Sequence, residues 1–291
     1  GEEFISLMSW QPVAQPKKPC ASAPGSRFSK IVSAESLGQG DMSGWLVKQG
    51  GSLKPVIYLY PPQDAVIHVS LTFSDFYDIS SLICIPDTRR SGKQIKWEEI
   101  RASPRGSLSI RNSAFPYLFY EIDRVPPYKI TDASHHSPPQ LVESVFCPEK
   151  PNRASFASNL WCVHAEDLLE FILVCCADHK LNMRESNEFI EFWLPRLLSL
   201  SGCSPVFYIR FLQEEYSKDV LLNINPTPDE VIRMYCCVSQ ALAQGLASTC
   251  NEYSWNESTQ RKEQLLEDLF ERVEQERQGK FVAVEWGGMF V

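Results

Sequence analysis

Polar and hydrophobic residues alternate from Ala65 to Phe73, which reads AVIHVSLTF. A period of two predicts a β-strand with one face in the core and the other towards solvent. The run just before it, Lys54 to Pro62, reads KPVIYLYPP and is apolar on both faces. Its β-branched and aromatic residues favour extended backbone, so this run is predicted to be a fully buried strand.

Short strand patterns continue to about residue 125. They are separated by turn residues such as Pro86-Asp87 and Pro104-Arg105-Gly106. The further strands predicted here are Ser81 to Ile85, Gln94 to Ile100, a short one around Leu108, and Tyr117 to Ile122. Strands at this spacing predict an antiparallel β layer over residues 53–125, which is either a sheet or a sandwich.

The hydrophobic period changes in the second half, where apolar residues recur at helical spacing. Helices are predicted over Ala165 to His179, Arg184 to Leu200 and Gln260 to Gln278, and strands over Pro205 to Leu212, Val231 to Val238 and Phe281 to Trp286. Pro195 is expected to kink or end the regular part of the second helix. Gly279 stands where a glycine commonly ends a helix, and Gly287-Gly288 is interpreted as a turn with positive φ.

Together these elements predict an α+β fold in which the antiparallel β layer is followed by a helix-plus-strand half that shares one core with it. We expect a single domain over residues 53–291, divided into a β-rich part (53–125), an irregular proline-rich connection (126–160) and an α/β part (161–291). Residues 1–52 contain scattered proline and serine without an apolar period, so they are expected to form a poorly ordered tail.

Composition narrows the possible partners and compartments. The 291 residues carry a formal net charge of −8, which argues against nucleic-acid binding because that function needs a basic face. The sequence contains neither a run of about 18 uncharged apolar residues nor a secretory signal, so no membrane association is expected. The ten cysteines include the vicinal pairs Cys175-Cys176 and Cys236-Cys237. Buried reduced thiols in a cytoplasmic protein are the expected state, and a secreted protein with disulfides is the alternative.

Four sequence blocks carry a resemblance to a protein family. They are KPVIYLYPP (Lys54 to Pro62), IKW with PRGSL and YLFYE (Ile95 to Glu121), FIEFWLP (Phe189 to Pro195) and EWGGM (Glu285 to Met289). In this order they resemble a family of uncharacterised proteins found mainly in basidiomycete fungi, with relatives in bacteria. The resemblance implies a shared fold but no established activity. This chain departs from the family pattern at Arg105, which replaces an acidic turn residue, and at Tyr120, which replaces a tryptophan.

Two carboxylates are the candidate catalytic residues. Glu121 and Glu285 each stand near the end of a predicted strand, in an apolar and aromatic setting. If both faced one cleft, one could protonate a leaving oxygen while the other attacked the sugar or activated water, as in glycoside hydrolysis. The alternative is that each is a structural carboxylate, paired with Arg210 or Arg233.

Aromatic residues are the candidate binding residues. The four candidates come from the strand blocks, and they are Trp97, Trp286, Tyr58 and Tyr120. Such side chains could line a groove for a protein or a carbohydrate ligand, and the alternative is that they fill a large core.

Other chemistry receives no support from motifs. Cys162-Val163-His164 has poor spacing for zinc, and no nucleotide-binding glycine loop or GxSxG elbow is present. No metal and no cofactor is expected. The leading hypothesis is therefore a non-enzymatic binding or interaction module of unknown ligand. The rival hypothesis is a hydrolase, possibly a glycoside hydrolase with paired carboxylates, so the sequence leaves open whether the protein is an enzyme.

Overall fold

Most strands form where β-branched and aromatic residues are concentrated, since these side chains pack well on a pleated surface. The computed structural model describes residues 51–124, 160–202, 204–212, 214–240, 251–253 and 259–290. All of them belong to one unit, Asp41–Val291. The expected tail (except its last two residues) and the expected irregular connection (except residue 160) lie outside the described residues.

The strands within the described residues are numbered in chain order. They are β1 (Gly51–Tyr60), β2 (Ala65–Phe73), β3 (Tyr77–Ile85), β4 (Arg89–Ser91), β5 (Gln94–Ala102), β6 (Leu108–Ile110), β7 (Ser113–Phe115), β8 (Leu118–Arg124), β9 (Trp161–His164), β10 (Val206–Phe211), β11 (Val220–Asn225), β12 (Glu230–Ser239), β13 (Asn251–Glu252) and β14 (Val282–Phe290).

Eight of these strands form one sheet, in the order β13-β9-β10-β12-β14-β1-β8-β3. The sheet joins the two halves of the chain at its centre, because β14 pairs antiparallel with β1 and parallel with β12. The prediction of an α+β fold whose two halves share one core is therefore confirmed. The parallel pairing of β12 with β14 is not visible in the local pattern, since it depends on contacts distant in sequence.

Six strands form a second sheet, in the order β11-β2-β5-β6-β7, with β4 paired to β5. The alternation predicted for β2 is confirmed, because Ile67, Val69, Leu71 and Phe73 are buried. The β-rich part of the chain is thus divided between two sheets: β1, β3 and β8 join the eight-stranded sheet, whereas β2 and β4 to β7 join β11.

A hydrophobic core fills the space between the two sheets. It contains residues of both, such as Ile57 and Leu118 from the eight-stranded sheet and Ile67 and Trp97 from the six-stranded sheet. We call the side of the eight-stranded sheet that faces this core its inner face. The opposite side is called the helix-facing side.

The described helices are α1 (Leu168–Asp178), which follows a 3-10 turn at Ala165–Asp167, α2 (Met183–Leu200), α3 (Glu214–Asp219) and α4 (Thr259–Arg277). Helix α2 packs on the helix-facing side, where the Phe189 ring lies 5.3 Å from Trp286 and the Trp193 ring lies 5.4 Å from Phe290. Its first turn is fixed by a capping box between Asn182 and Glu185, which satisfies backbone N–H groups that have no partner within the helix.

Helix α2 reaches Leu200 as predicted. It does not end at Pro195, which lies on its exposed side, where a carbonyl that loses its N–H partner can bond water. Two details of the fold differ from the sequence prediction. Gly287 and Gly288 lie inside β14, and neither has a left-handed φ. Helix α3 and strand β11 form in a stretch with no predicted element.

The close approach of neighbouring side chains, rather than a turn, explains why residue 288 is a glycine. A Cβ added at Gly288 would lie 2.4 Å from Cys236 Sγ and 2.6 Å from the Trp193 ring. Only a residue without a side chain fits between α2 and the sheet at this position. The second glycine of the EWGGM block is therefore required by the packing of α2 on the sheet.

Candidate functional site

The two candidate catalytic carboxylates lie on opposite faces of the eight-stranded sheet. Glu285 and Leu118 both pair with Ile57 of β1, so these three side chains share the inner face. Glu121 follows Leu118 by three residues on a strand without a bulge, so its side chain points to the helix-facing side. The structure does not bring the pair into one cleft, where glycoside hydrolysis needs carboxyl groups about 5–10 Å apart.

Glu285 is held in a buried polar cluster between the two sheets. Its side chain is only 1% exposed. Oε2 accepts a hydrogen bond from Arg233 Nε at 2.5 Å, and Oε1 accepts from the hydroxyls of Tyr120 and, at 3.3 Å, Tyr216. Arg233 also donates to the carbonyl of Val220 at 2.8 Å. Of the two arginines considered as partners, Arg233 is the one that pairs with Glu285.

Burial keeps the hydroxyl donors of this cluster neutral. It raises the pKa of Tyr120 and of Tyr216, and the negative charge of Glu285 raises both further. The pKa of Arg233 is also raised, because the charge of Glu285 and the neighbouring tyrosines outweighs the opposing effect of burial. Glu285 therefore has one cationic and two neutral donors, which is the arrangement of a structural carboxylate.

The four candidate binding aromatics are all buried, with at most 1% of each residue exposed. Trp97 belongs to the six-stranded sheet and points into the core, where its Nε1 donates to the carbonyl of Pro86 at 2.8 Å. Tyr120 points into the same core. Tyr58 and Trp286 lie instead on the helix-facing side, with their ring centroids 6.4 Å apart.

Lys54 is the residue around which several predicted site residues come together. It stands in a β-bulge of β1, where the register shifts against both β14 and β8. Its φ of 45° is in the left-handed region, which a residue with a Cβ seldom adopts. Bulges of this kind redirect a side chain, and here the Lys54 side chain points towards α2 on the helix-facing side.

Three aromatic rings surround the Lys54 ammonium. Nζ lies 5.3 Å from the ring centroid of Trp286, 5.1 Å from that of Phe192 and 5.7 Å from that of Tyr117. Cation–π contacts of this length are each worth about 0.5–2 kcal/mol. Among the residues that the structure describes, no carboxylate lies within 4.0 Å of Lys54 Nζ. We call Lys54 with these three rings the Lys54 site.

Polar residues of α2 and β8 border the Lys54 site. The Tyr58 hydroxyl donates to Glu188 at 2.8 Å, and Arg184 Nε donates to the other oxygen of Glu188 at 3.4 Å. Glu121, one of the two predicted carboxylates, accepts a hydrogen bond from the backbone N–H of Lys54 at 3.3 Å. Its position there supports the bulge backbone.

Burial of the site acts against a charged amine. Burial lowers the pKa of Lys54, and the charge of Arg196 lowers it further, while Glu188 and Glu191 act in the opposite direction. Burial also raises the pKa of Tyr58, and the negative charge of Glu188 adds to this effect. The site thus presents an amine with a depressed pKa beside a neutral phenol and a carboxylate.

Lys54, Tyr117 and Phe192 are each partly buried and partly exposed. An amine can donate hydrogen bonds to an acceptor oxygen, and the rings can contact a flat apolar body. The sequence places Lys54 at the start of a strand block but gives no signal for the bulge. The spacing of Arg184, Glu188 and Phe192 at intervals of four along α2 is the pattern that could have indicated a shared helix face.

A metal site receives no support from the residues that the structure describes. In the described parts of the chain, no group of three or more His, Cys, Asp and Glu side chains is placed to hold an ion. The histidines and the cysteine at positions 135, 136 and 147 are outside those parts.

Comparisons with protein-family models, with curated proteins and with solved structures find no match to this chain. The resemblance to the basidiomycete family therefore stays a prediction. Of the helices in the described ranges, none combines the length and the hydrophobicity that a bilayer crossing requires.

Proposed function

We propose that the protein is a non-enzymatic binding module and that the Lys54 site is where it holds its ligand. The ligand is a small compound with a carboxylate or carbonyl oxygen on a flat apolar body. The observation that carries this proposal is the position of Lys54 Nζ over three rings, without an ion pair to a described carboxylate.

The two parts of the ligand follow from the two kinds of surface in the site. Lys54 Nζ has hydrogen-bond donors that a ligand oxygen can accept, and a charge-assisted hydrogen bond contributes about 1.5–3 kcal/mol. The partly exposed ring of Tyr117 stands beside it and favours a planar, apolar body. The Phe192 ring borders the same space and also carries Arg196, whose guanidinium carbon lies 3.6 Å from the ring centroid. Binding of a protein or of a carbohydrate also stays a prediction, since either can present an oxygen next to a flat surface.

The cysteines support a cytoplasmic location as part of the proposal. Four cysteines in the described residues are free thiols, and they are Cys84, Cys175, Cys176 and Cys236. Unpaired thiols in this number are typical of proteins from reducing compartments.

Isothermal titration calorimetry with a matched pair of acids tests the proposal. Benzoate offers a carboxylate on an aromatic ring, whereas acetate offers the carboxylate alone. We expect benzoate to bind the wild-type protein more tightly than acetate does, and Lys54→Gln to weaken benzoate binding by about tenfold or more, because a charged donor is lost.

Lys180→Gln is the matched control. Lys180 is an exposed lysine with ion pairs to Glu230 and Glu276, and its replacement is expected to leave benzoate binding unchanged. Equal affinity of wild-type protein and Lys54→Gln for benzoate would reject the Lys54 site. A glycan array and a pull-down from lysate, each repeated with Lys54→Gln, extend the test to carbohydrate and protein ligands.

A further inference from the structure

We propose that Lys54 is a nucleophilic amine that forms an imine with aldehydes or ketones entering the Lys54 site. This inference rests on the proposed function, because it concerns the same site and names the ligand class that is held most firmly there, a carbonyl compound with a flat apolar body.

The surroundings of Lys54 differ from those of an ordinary surface lysine. Lys180 Nζ lies 2.9 Å from Glu230 and 3.2 Å from Glu276, and these carboxylates hold it in the charged form. Lys54 Nζ faces the rings of Trp286, Phe192 and Tyr117 instead. Rings stabilise a cation less than carboxylates do and leave the nitrogen lone pair unobstructed once the proton is lost.

The backbone at Lys54 fixes where the amine can go. The bulge and the φ of 45° direct the side chain between β1 and α2, and Glu121 secures the Lys54 N–H at 3.3 Å. Left-handed backbone at a residue with a Cβ is strained, and such strain is concentrated at functional positions. A nucleophile held in one place meets its substrate with less loss of entropy than a mobile one does.

Because Lys54 is partly buried, it loses its proton at a lower pH than Lys180 does. Burial lowers the pKa of Lys54, and this effect outweighs the opposing charge of Glu188, whereas hydrogen bonds to Glu230 and Glu276 raise the pKa of Lys180. Lysines of depressed pKa in apolar pockets are the ones that form imines in proteins. The two lysines therefore differ in reactivity within one molecule.

The reaction balances without an oxidant or a reductant. The Nζ lone pair attacks the carbonyl carbon, the C–N bond forms, and the carbonyl π electrons move to oxygen, which takes up a proton. The resulting carbinolamine loses its hydroxyl group with a proton as water, while nitrogen gives up its second hydrogen and the C=N bond forms. The products are one imine and one water.

Several charged and titratable groups face the amine and influence its pH dependence. Strand β1 contributes Tyr58, the segment leading into β8 contributes Tyr117, and β8 itself contributes Glu121. Helix α2 contributes Arg184, Glu188, Glu191 and Arg196, while β14 contributes only the ring of Trp286 on this side. Of the neighbouring charges, Glu188 raises the pKa of Lys54 most, and it also accepts the Tyr58 hydrogen bond.

Reductive trapping of the full chain tests this inference. Wild-type protein is incubated with benzaldehyde and sodium cyanoborohydride at about pH 7, and peptide mass spectrometry measures the labelling rate of each lysine. We expect Lys54 to be labelled about tenfold faster than Lys180 or more, because the neutral amine reacts and the pKa of Lys54 is lowered while that of Lys180 is raised. Equal rates for the two lysines in the folded protein would overturn the inference.

A variant that lacks one ring of the Lys54 site tests whether the rings, rather than the exposure of Lys54 alone, cause its faster labelling. Phe192→Leu removes one ring from Lys54 but keeps an apolar side chain, and its fold is checked by circular dichroism. We expect the preference for Lys54 over Lys180 to fall at least threefold in this variant. An unchanged preference would show that the ring does not position the aldehyde, and would count against the inference.

Benzoate calorimetry distinguishes the two proposals. If benzoate binds at Lys54 but trapping shows no preference for it, the imine inference fails and the proposed function stands. If trapping selects Lys54 but benzoate binding does not depend on it, the reactive amine stands and the proposed reversible binding fails. Failure of both measurements rejects the site altogether.

Discussion

Glu285 brings a negative charge into the core between the two sheets, where its partners are fixed by the fold. Arg233 neutralises it, and the hydroxyls of Tyr120 and Tyr216 satisfy its second oxygen. A buried ion pair adds little net stability when both partners are present, but removal of one partner leaves an uncompensated charge.

Glu285→Gln is therefore expected to destabilise the protein by about 3–5 kcal/mol, because Arg233 would stay buried without its counter-charge. Urea unfolding followed by tryptophan fluorescence measures this change. Glu98→Gln is the control, since Glu98 forms an exposed ion pair with Arg89 at 3.5 Å and its loss should cost less than about 1 kcal/mol. A cost for Glu285→Gln no larger than that of the control would contradict a structural role.

Local sequence pattern predicts the strands that carry Glu285 and Glu121, but it does not predict the face of the sheet on which each side chain lies. Both stand on apolar strands, and strand identity is readable from composition. Which face each side chain takes depends on how β14, β1 and β8 pair, and that register is set by contacts distant in the chain. Lys54 shows the same limit, because its bulge exists only through pairing with two neighbouring strands.

The packing of α2 on the eight-stranded sheet depends on one glycine. Gly288 lies between the Trp193 ring of α2 and Cys236 of β12, with no room for a Cβ. Helix α2 and the sheet can approach this closely only because β14 has no side chain at this residue.

Gly288→Ala is expected to destabilise the protein by roughly 1–3 kcal/mol, the usual cost of overpacking a core. Chemical denaturation monitored by circular dichroism measures it. Gly202→Ala is the matched control, since a Cβ there meets nothing within 4 Å and the backbone has no left-handed φ. A neutral effect of Gly288→Ala would mean that α2 can move away from the sheet at little cost.

At the level of elements, the sequence predicts what local pattern determines. Strand β2 follows its alternation, and α4 ends two residues before Gly279, whose φ is 76°. Pro195 is accommodated on the exposed side of α2. The turn predicted at Gly287-Gly288 is wrong because tertiary contacts override local preference there: these residues continue β14, and strands on both sides provide hydrogen-bond partners.

On the scale of the whole molecule, a buried histidine links stability to pH. His179 follows α1, donates from Nδ1 to the carbonyl of Cys175 at 2.8 Å and packs against the Phe211 ring at 4.7 Å. Its Nε2 is buried without a hydrogen-bond partner. Burial lowers the pKa of His179 below its usual value of 6.5.

Because the folded pKa is depressed, the contribution of His179 is complete above about pH 6.5 and is lost as the pH falls below that value. We expect the free energy of unfolding of the wild type to decrease by up to about 1.4 kcal/mol per pH unit from this one group. Urea unfolding between about pH 7.5 and 5.5 measures the slope. His179→Phe should show a shallower slope over the same range and a parallel curve above it, and identical slopes would contradict this assignment.

The central position of β14 in the sheet has a consequence for the chain during its synthesis. β14 lies between β1 and β12, so both of these strands wait with open edges until residues 282–290 have left the ribosome. Open edges are the usual starting points of aggregation. A ribosome that stalls before Val282 thus releases a product with two unprotected strands in the middle of its sheet, and quality-control factors in the cell would meet this species rather than a partly active protein.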